Sequence, residues 1–457
     1  MTESTYDVVV LGGGSGGYAA ALRAAELGKS VALVEKDKVG GTCLHRGCIP
    51  TKALLHAAEV ADYARESASF GIRTQLDGVD VDALRTYREG IVAKKYKGLQ
   101  GLVKARGITV VPGAGRLVAG PAVAVGDDIL HGTDVILATG SYSRTLPGLQ
   151  IGGRIITSEQ ALELDVVPER VAILGGGVIG VEFASVWRSF GAAVTIVEAL
   201  PHLVPNEDET LSKGLERAFR KRGIEFRLGT RFAQASQTDD VVTVTLEDGT
   251  SIDADYLLVA VGRGPVTAEL GYEEAGVVLD RGFVRTDARL RTDVEHVWAV
   301  GDIVPGLQLA HRGFQQGIFV AEQIAGLEPV AVPETQIPKV TYSHPEVASV
   351  GLTERQAAEQ FGPDRVRAYE FNLAGNGKSE IIGTSGVVKV VRELDGPVLG
   401  VHLLGDRVGE LITEGQLAVG WEAHPEDLAP LIHAHPTQSE ALGEAFLALA
   451  GKPLHAL

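Results

Sequence analysis

The sequence predicts an α/β protein made of two copies of one strand–loop–helix unit, followed by an α+β domain of different texture. Three observations carry this. The segment Val8-Val9-Val10-Leu11-Gly12-Gly13-Gly14-Ser15-Gly16-Gly17 returns as Val171-Ala172-Ile173-Leu174-Gly175-Gly176-Gly177-Val178-Ile179-Gly180, 163 positions later, and the same offset relates Glu35 to Glu198. Glycine makes up 57 of 457 residues, well above its usual ~7% share, without a collagen triplet. From about Pro338 onward strands and helices alternate with no third loop of this kind, after a linker at Pro329–Pro333.

Each copy runs from an apolar strand into G-x-G-x-x-G, then a helix, then a second strand ending in Glu. The first glycine allows the tight turn, the second lets backbone approach a pyrophosphate, and the third lets helix pack on strand. The helix N-terminus presents free N–H groups to phosphate, and the acid can accept from ribose hydroxyls. Two such loops predict two Rossmann-like dinucleotide sites. The stretches Ala53–Ala64 and Val81–Val103 read as helices, and 108–140 as short strands separated by Gly and Pro turns. Val135–Gly140, Leu257–Gly262 and Val297–Asp302 read as strands, with Glu247-Asp248-Gly249 as a hairpin turn before the second.

A length of 457 residues suits about three domains. The net charge of −17 disfavours nucleic acid and anionic membrane as partners, no apolar stretch reaches the ~18 residues of a span, and no basic leader precedes the first strand. These features predict a cytoplasmic protein. The two cysteines, Cys43 and Cys48, are too few for a disulfide framework and lack the second pair a zinc site would need, so no metal is expected. Their C-x₄-C spacing at a helix start favours thiolate chemistry.

Gly40-Gly41-Thr42-Cys43-Leu44-His45-Arg46-Gly47-Cys48-Ile49-Pro50-Thr51-Lys52 resembles the redox-active disulfide motif of the flavin-dependent disulfide reductases, and within them the dihydrolipoyl dehydrogenases. The resemblance extends over the whole chain, through Gly301-Asp302 to His433-Ala434-His435-Pro436-Thr437-Gln438-Ser439-Glu440. It implies an FAD-binding domain begun by residues 1–145, an NAD-binding domain at 146–265, a central domain at 266–335 completing the FAD site, and an interface domain at 336–457. It further implies non-covalent FAD, NAD, a homodimer, and a lipoylated acyltransferase or glycine-cleavage carrier protein as partner.

By that resemblance Cys48 lies beside the flavin and Cys43 exchanges with substrate, while His435, oriented by Glu440, serves as base toward the other subunit's disulfide. Lys52 and Glu182 match the ion pair near the flavin. Gly12, Gly14, Ser15, Gly17, Glu35, Lys36, Gly41, Thr42, Gly115, Thr139, Gly140, Ser141, Asp302, Leu309, Ala310 and His311 match FAD contacts. Gly175, Gly177, Val178, Ile179, Gly180, Glu198 and Gly262 match NAD contacts. No Arg follows Glu198 to meet a 2′-phosphate, which favours NAD over NADP. Two positions depart from the pattern: His45 replaces the usual Asn, placing a titratable ring beside the cysteines, and Val266-Thr267 replaces Asn-Thr. Two readings compete with this one: a relative acting on glutathione, Hg(II) or another disulfide, and a non-catalytic flavoprotein that senses NADH/NAD balance or serves as a structural subunit. The absence of a C-terminal Cys pair argues against the mercuric case, and the intact Cys43, Cys48, His435 and Glu440 argue against the sensor.

Overall fold

The computed structural model describes residues 2–455, so Met1, Ala456 and Leu457 of the expected terminal domains lie outside it. The first repeat forms β1 (Glu3–Leu11), α1 (Ser15–Glu26) and β2 (Val31–Glu35). The chain then makes α2 (Gly41–Arg46), α3 (Cys48–Glu66) and α4 (Val81–Ala105), followed by β3 (Thr109–Pro112), β4 (Gly115–Val118), β5 (Ala122–Val125) and β6 (Asp128–Leu137). These strands order as β3-β2-β1-β6-β5-β4. From β3 to β6 pairing is parallel, and the runs Val8–Val10, Ala32–Val34 and Val135–Leu137 are almost wholly buried, as strands covered on both faces require.

A short β7 (Ser141–Ser143) leads to the second repeat: β8 (Ile155–Ile156), α5 (Ser158–Ala161), β9 (Arg170–Leu174), α6 (Val178–Phe190), β10 (Ala193–Glu198), α7 (Glu209–Lys221) and β11 (Glu225–Leu228). A meander of β12 (Phe232–Gln237), β13 (Val242–Leu246) and β14 (Ser251–Ala254) precedes β15 (Tyr256–Val259), which joins the second parallel sheet in the order β11-β10-β9-β15-β8. The chain leaves through β16 (Arg263–Pro265), antiparallel to β7, so both ends of this unit meet in one ladder.

After the hairpin β17 (Leu279–Asp280) and β18 (Phe283–Val284), β19 (Val297–Ala299) returns to the first sheet beside β6. There α8 (Ala310–Ile324) packs on α1 through glycine: a Cβ on Gly317 would stand 2.3 Å from the Gly16 carbonyl oxygen. The last domain is an antiparallel sheet of β20 (Lys339–Thr341), β21 (Glu346–Gly351), β22 (Val366–Asn372), β23 (Val387–Glu393) and β24 (Val398–Gly405), ordered β20-β21-β24-β23-β22. Around it lie α9 (Glu354–Phe361), α10 (Gly377–Ile382), α11 (Val408–Gly420), α12 (Pro425–Leu428) and α13 (Glu440–Leu449).

Three strand ends need correction. β6, β15 and β19 stop at Leu137, Val259 and Ala299, not at Gly140, Gly262 and Asp302, and Asp302 sits in a 3₁₀ turn. In each case the chain leaves the ladder just before a left-handed glycine: Gly140 at φ +77°, Gly262 at +103° and Gly301 at +76°. Both long helices exceed their predicted ends by a few residues, and α3 begins at Cys48 itself.

The two repeats agree in atomic detail. A Cβ on Gly17 would meet the Gly12 carbonyl oxygen at 1.8 Å, and one on Gly180 the Gly175 oxygen at 1.9 Å. Gly17→Ala and Gly180→Ala should therefore each abolish tight binding of one dinucleotide, measured by flavin fluorescence and NADH titration. Gly28→Ala, left-handed but in open space, should cost only the ~1–2 kcal/mol of backbone strain in a thermal or urea melt.

Candidate active site

Each glycine loop is held by the acid that ends the second strand of its unit. The Gly13 N–H donates to Glu35 Oε2 at 2.7 Å, and the Gly176 N–H to Glu198 Oε2 at 2.7 Å. The other carboxylate oxygens accept from Asp37 N and Leu200 N, both at 2.8 Å. Sequence reasoning assigned these acids to ribose and missed this anchoring. Gly14 and Gly177 cap α1 and α6 with nearly identical backbone angles, and a Cβ on either would meet nothing within 4 Å. That open space before a helix N-terminus is a cradle for pyrophosphate, so the residues fit a dinucleotide in both units.

Gly41 presses on the first loop: its Cβ would stand 2.7 Å from Gly14 Cα. Thr42 follows, half-buried in α2. Thr139 Oγ1 donates to the Val266 carbonyl and meets the Tyr272 hydroxyl. Ser141 Oγ donates to Asp302 Oδ2 at 2.5 Å and accepts from Arg263 Nε at 2.7 Å. Arg263 also donates to the Ser141 carbonyl and to Ser143 Oγ, so three nitrogens grip one strand. Leu309, Ala310 and His311 form the N-terminal turn of α8, with His311 on the Pro338 carbonyl. Lys36 is exposed, and Val178 opens α6 exposed beside half-buried Ile179. Gly115 is packed tightly, since a Cβ there would crowd Leu11, Val34 and Val123.

The two cysteines are free thiols in one cluster, Cys43 in α2 and Cys48 opening α3. The adjoining Cys43 thiol, helped by the Lys52 charge, lowers Cys48 to about 7 against its burial. The adjoining Cys48 and burial push Cys43 up. Position at the start of α3 adds the helix dipole in the same direction for Cys48. Lys52 Nζ lies 2.9 and 2.8 Å from the Glu182 oxygens. Glu182 is buried on α6 and also accepts from Tyr342 N at 2.9 Å, while Lys52 Nζ stands 4.8 Å from the Tyr342 ring centre. Burial would lower the Lys52 pKa, but Glu182 reverses this and holds it raised.

His45 turns its ring to the Val39 carbonyl at 3.0 Å and meets Tyr96 edge-on at 4.9 Å, so its bonded neighbours are not the sulfurs. Tyr18 was missed by sequence reasoning. Burial, then the charges of Cys43 and Cys48, push its hydroxyl up to about 12. At the far end of the chain His435 Nδ1 pairs with Glu440 Oε1 at 2.8 Å, and the His435 side chain is 79% exposed. Burial opposes ionisation of Glu440, yet the Thr437 N–H and the His435 ring keep its pKa lowered. The cysteines lie half-buried in the first unit, whereas this dyad is exposed in the last domain.

Residues 6–317 match the pyridine nucleotide-disulphide oxidoreductase family, and residues 337–446 match that family's dimerisation domain. The chain belongs to this family. This oxidoreductase family uses FAD and NAD(H), and the dimerisation domain supports a homodimer. The chain is 40% identical to a dihydrolipoyl dehydrogenase of Bacillus subtilis, over 98% of this chain and 99% of that one. It is 37% identical to a leghemoglobin reductase of Glycine max, over 98% and 88%. Among solved structures, LpdA of Mycobacterium tuberculosis superposes with a TM-score of 0.90 at 26% identity, covering 98% of this chain and all of that one.

Two expectations follow from this geometry. In the reduced, FAD-free protein one thiol should ionise with a midpoint near pH 7, read by thiolate absorbance, and Cys48→Ser should remove that step. Arg263→Met frees the Ser141 strand and should weaken FAD retention in dialysis by roughly tenfold, the value of one or two charge-assisted hydrogen bonds. Arg263→Lys should restore only part of it.

Proposed function

We propose that the protein oxidises dihydrolipoyl groups to the lipoyl disulfide and reduces NAD to NADH. The observation that carries this is the joining of the Cys43–Cys48 pair to the Lys52–Glu182 ion pair, between two intact glycine cradles. The name of the Bacillus subtilis relative and its nearly complete coverage support the same substrate.

The FAD cradle would be Gly12, Gly14, Ser15 and Gly17, with Glu35, Thr42, Ser141, Asp302 and the α8 N-terminus along its length. The NAD cradle would be Gly175, Gly177 and Gly180, with Glu198 and Gly262. What FAD supplies when bound is two-electron exchange between a dithiol and a nicotinamide. The chain's own part begins with His435 of the partner subunit, oriented by Glu440, taking a proton from the substrate dithiol. In the oxidised protein, with Cys43 and Cys48 joined as a disulfide, the substrate thiolate then attacks Cys43, breaking that bond and leaving Cys48 as thiolate. The second substrate thiol closes the lipoyl ring and releases Cys43, whose raised pKa makes it the one to keep the proton. Lys52 stabilises the Cys48 thiolate, and buried Glu182 holds Lys52 in place. Glu198 would repel a 2′-phosphate and so select NAD.

The partners are a second copy of the chain and a lipoylated acyltransferase or glycine-cleavage carrier. The reading places the enzyme in the cytoplasm, in keeping with an acidic chain in which no described helix is long and apolar enough to cross a membrane.

The direct test is NADH production from dihydrolipoamide, set against oxidised glutathione with NADPH; turnover of only the second pair would sink the reading. His435→Gln should lower dihydrolipoamide turnover by ~10²–10⁴-fold with FAD retained. Mixed dimers of Cys43→Ser and His435→Gln subunits should regain about half of wild-type activity, because one complete site forms across the two chains. Glu198→Ala should narrow the preference for NAD over NADP. It should also lower kcat/KM with NAD itself, because Gly176 loses its anchor.

A further inference from the structure

The chain carries a net charge of −17, yet between residues 85 and 106 it has seven Arg and Lys against one Glu. This stretch is α4. Its arginines are engaged: Arg85 with Asp82, Arg88 with Glu163, Arg106 with Glu26. Its lysines are not. Lys94, Lys95, Lys97 and Lys104 are exposed and have no ion-pair or hydrogen-bond partner among the described residues.

Three of these lysines share one face. Gly90, Lys94, Lys97, Gly101 and Lys104 are spaced four, three, four and three apart, so they align along the helix. The opposite face buries Arg88, Leu99 and Val103. Lys94 and Lys104 are about 15 Å apart along the axis. The inner side of α4 packs on α2 and α3, the two helices that hold Cys43 and Cys48, and Tyr96 touches His45 in the last turn of α2.

We propose that this outward face of α4 docks an acidic protein domain carrying the dihydrolipoyl arm. The inference rests on the dihydrolipoyl activity proposed above and adds to it the charge of the carrier and the surface that receives it. Three unpaired lysines in a row attract a compact acidic domain over about one Debye length, ~8–10 Å. The acidic remainder of the surface repels extended polyanions and anionic bilayers, which would have to lie across it. A lipoyl group on a lysine side chain is a long flexible arm, so a carrier held on α4 can deliver its dithiol past the helix to the cysteines.

The test uses the FAD-loaded full chain and three substrates: free dihydrolipoamide, a dihydrolipoyl-lysine peptide flanked by Asp and Glu, and the same peptide flanked by Ser and Gln. At low salt the acidic peptide should show a KM roughly three- to tenfold below that of the neutral one, the yield of a few exposed charge pairs. The triple variant Lys94→Glu, Lys97→Glu, Lys104→Glu should abolish or invert that difference, as should about 0.5 M salt in the wild type. Free dihydrolipoamide should keep its kcat and KM in the variant. Equal KM values for the two peptides, or a difference that survives the variant, overturns the proposal. So does a variant that becomes monomeric in light scattering, which would assign the face to the second copy. Lysine-dependent binding to anionic vesicles with unmoved peptide kinetics would assign it to a membrane and also overturns the proposal. If the wild type does not turn over free dihydrolipoamide, the activity reading fails first and takes this proposal with it.

Discussion

One buried carboxylate joins three parts of the molecule. Glu182 stands on the NAD-side helix α6, receives Lys52 from the cysteine helix α3, and accepts the Tyr342 backbone N–H from the last domain. Removing a charged group's water costs several kcal/mol unless partners replace it, so this site holds only when all three segments are in register. The Cys48 thiolate draws part of its stabilisation from the same lysine. Chemistry at the sulfurs and the assembly of the domains therefore depend on one set of hydrogen bonds.

The fold was largely legible because its main device is repeated. G-x-G-x-x-G with an acid 23 residues later leaves little conformational choice, since the third glycine has no room for a Cβ and the first is left-handed in both copies. Cys43 and Cys48 were legible for another reason: thiols this close together at a helix start have few purely structural uses. The C-terminal dyad was found through its motif, and the 2.8 Å contact between His435 and Glu440 matches that pairing.

What escaped the sequence is what depends on distant segments. Tyr342 lies 160 residues beyond Glu182, and nothing in its own neighbourhood marks it as a partner of a buried acid. The anchoring of Gly13 and Gly176 by Glu35 and Glu198 was hidden because the same carboxylates suit ribose equally well. Strand ends were overrun because apolar residues continue past the last ladder bond, up to the glycine that turns the chain. His45 drew attention by its nearness in sequence to the cysteines, yet helical geometry aims its ring at Val39 and Tyr96.

The ladder between β7 and β16 has a consequence for the order in which the protein can be built. β19, and α8 behind it, reach the first sheet only after the whole second unit has left the ribosome, so the first sheet waits incomplete beside β6. Ser141 pairs with Pro265 and Ser143 with Arg263, which brings the two ends of a unit more than a hundred residues long to adjacent positions. Once that unit has folded, the loop that β19 must close is short in space although long in sequence, and most of its closure entropy has already been met. A nascent chain stopped before β19 would hold a finished second unit on an unfinished first one, with an open edge along the C-terminal half of β6.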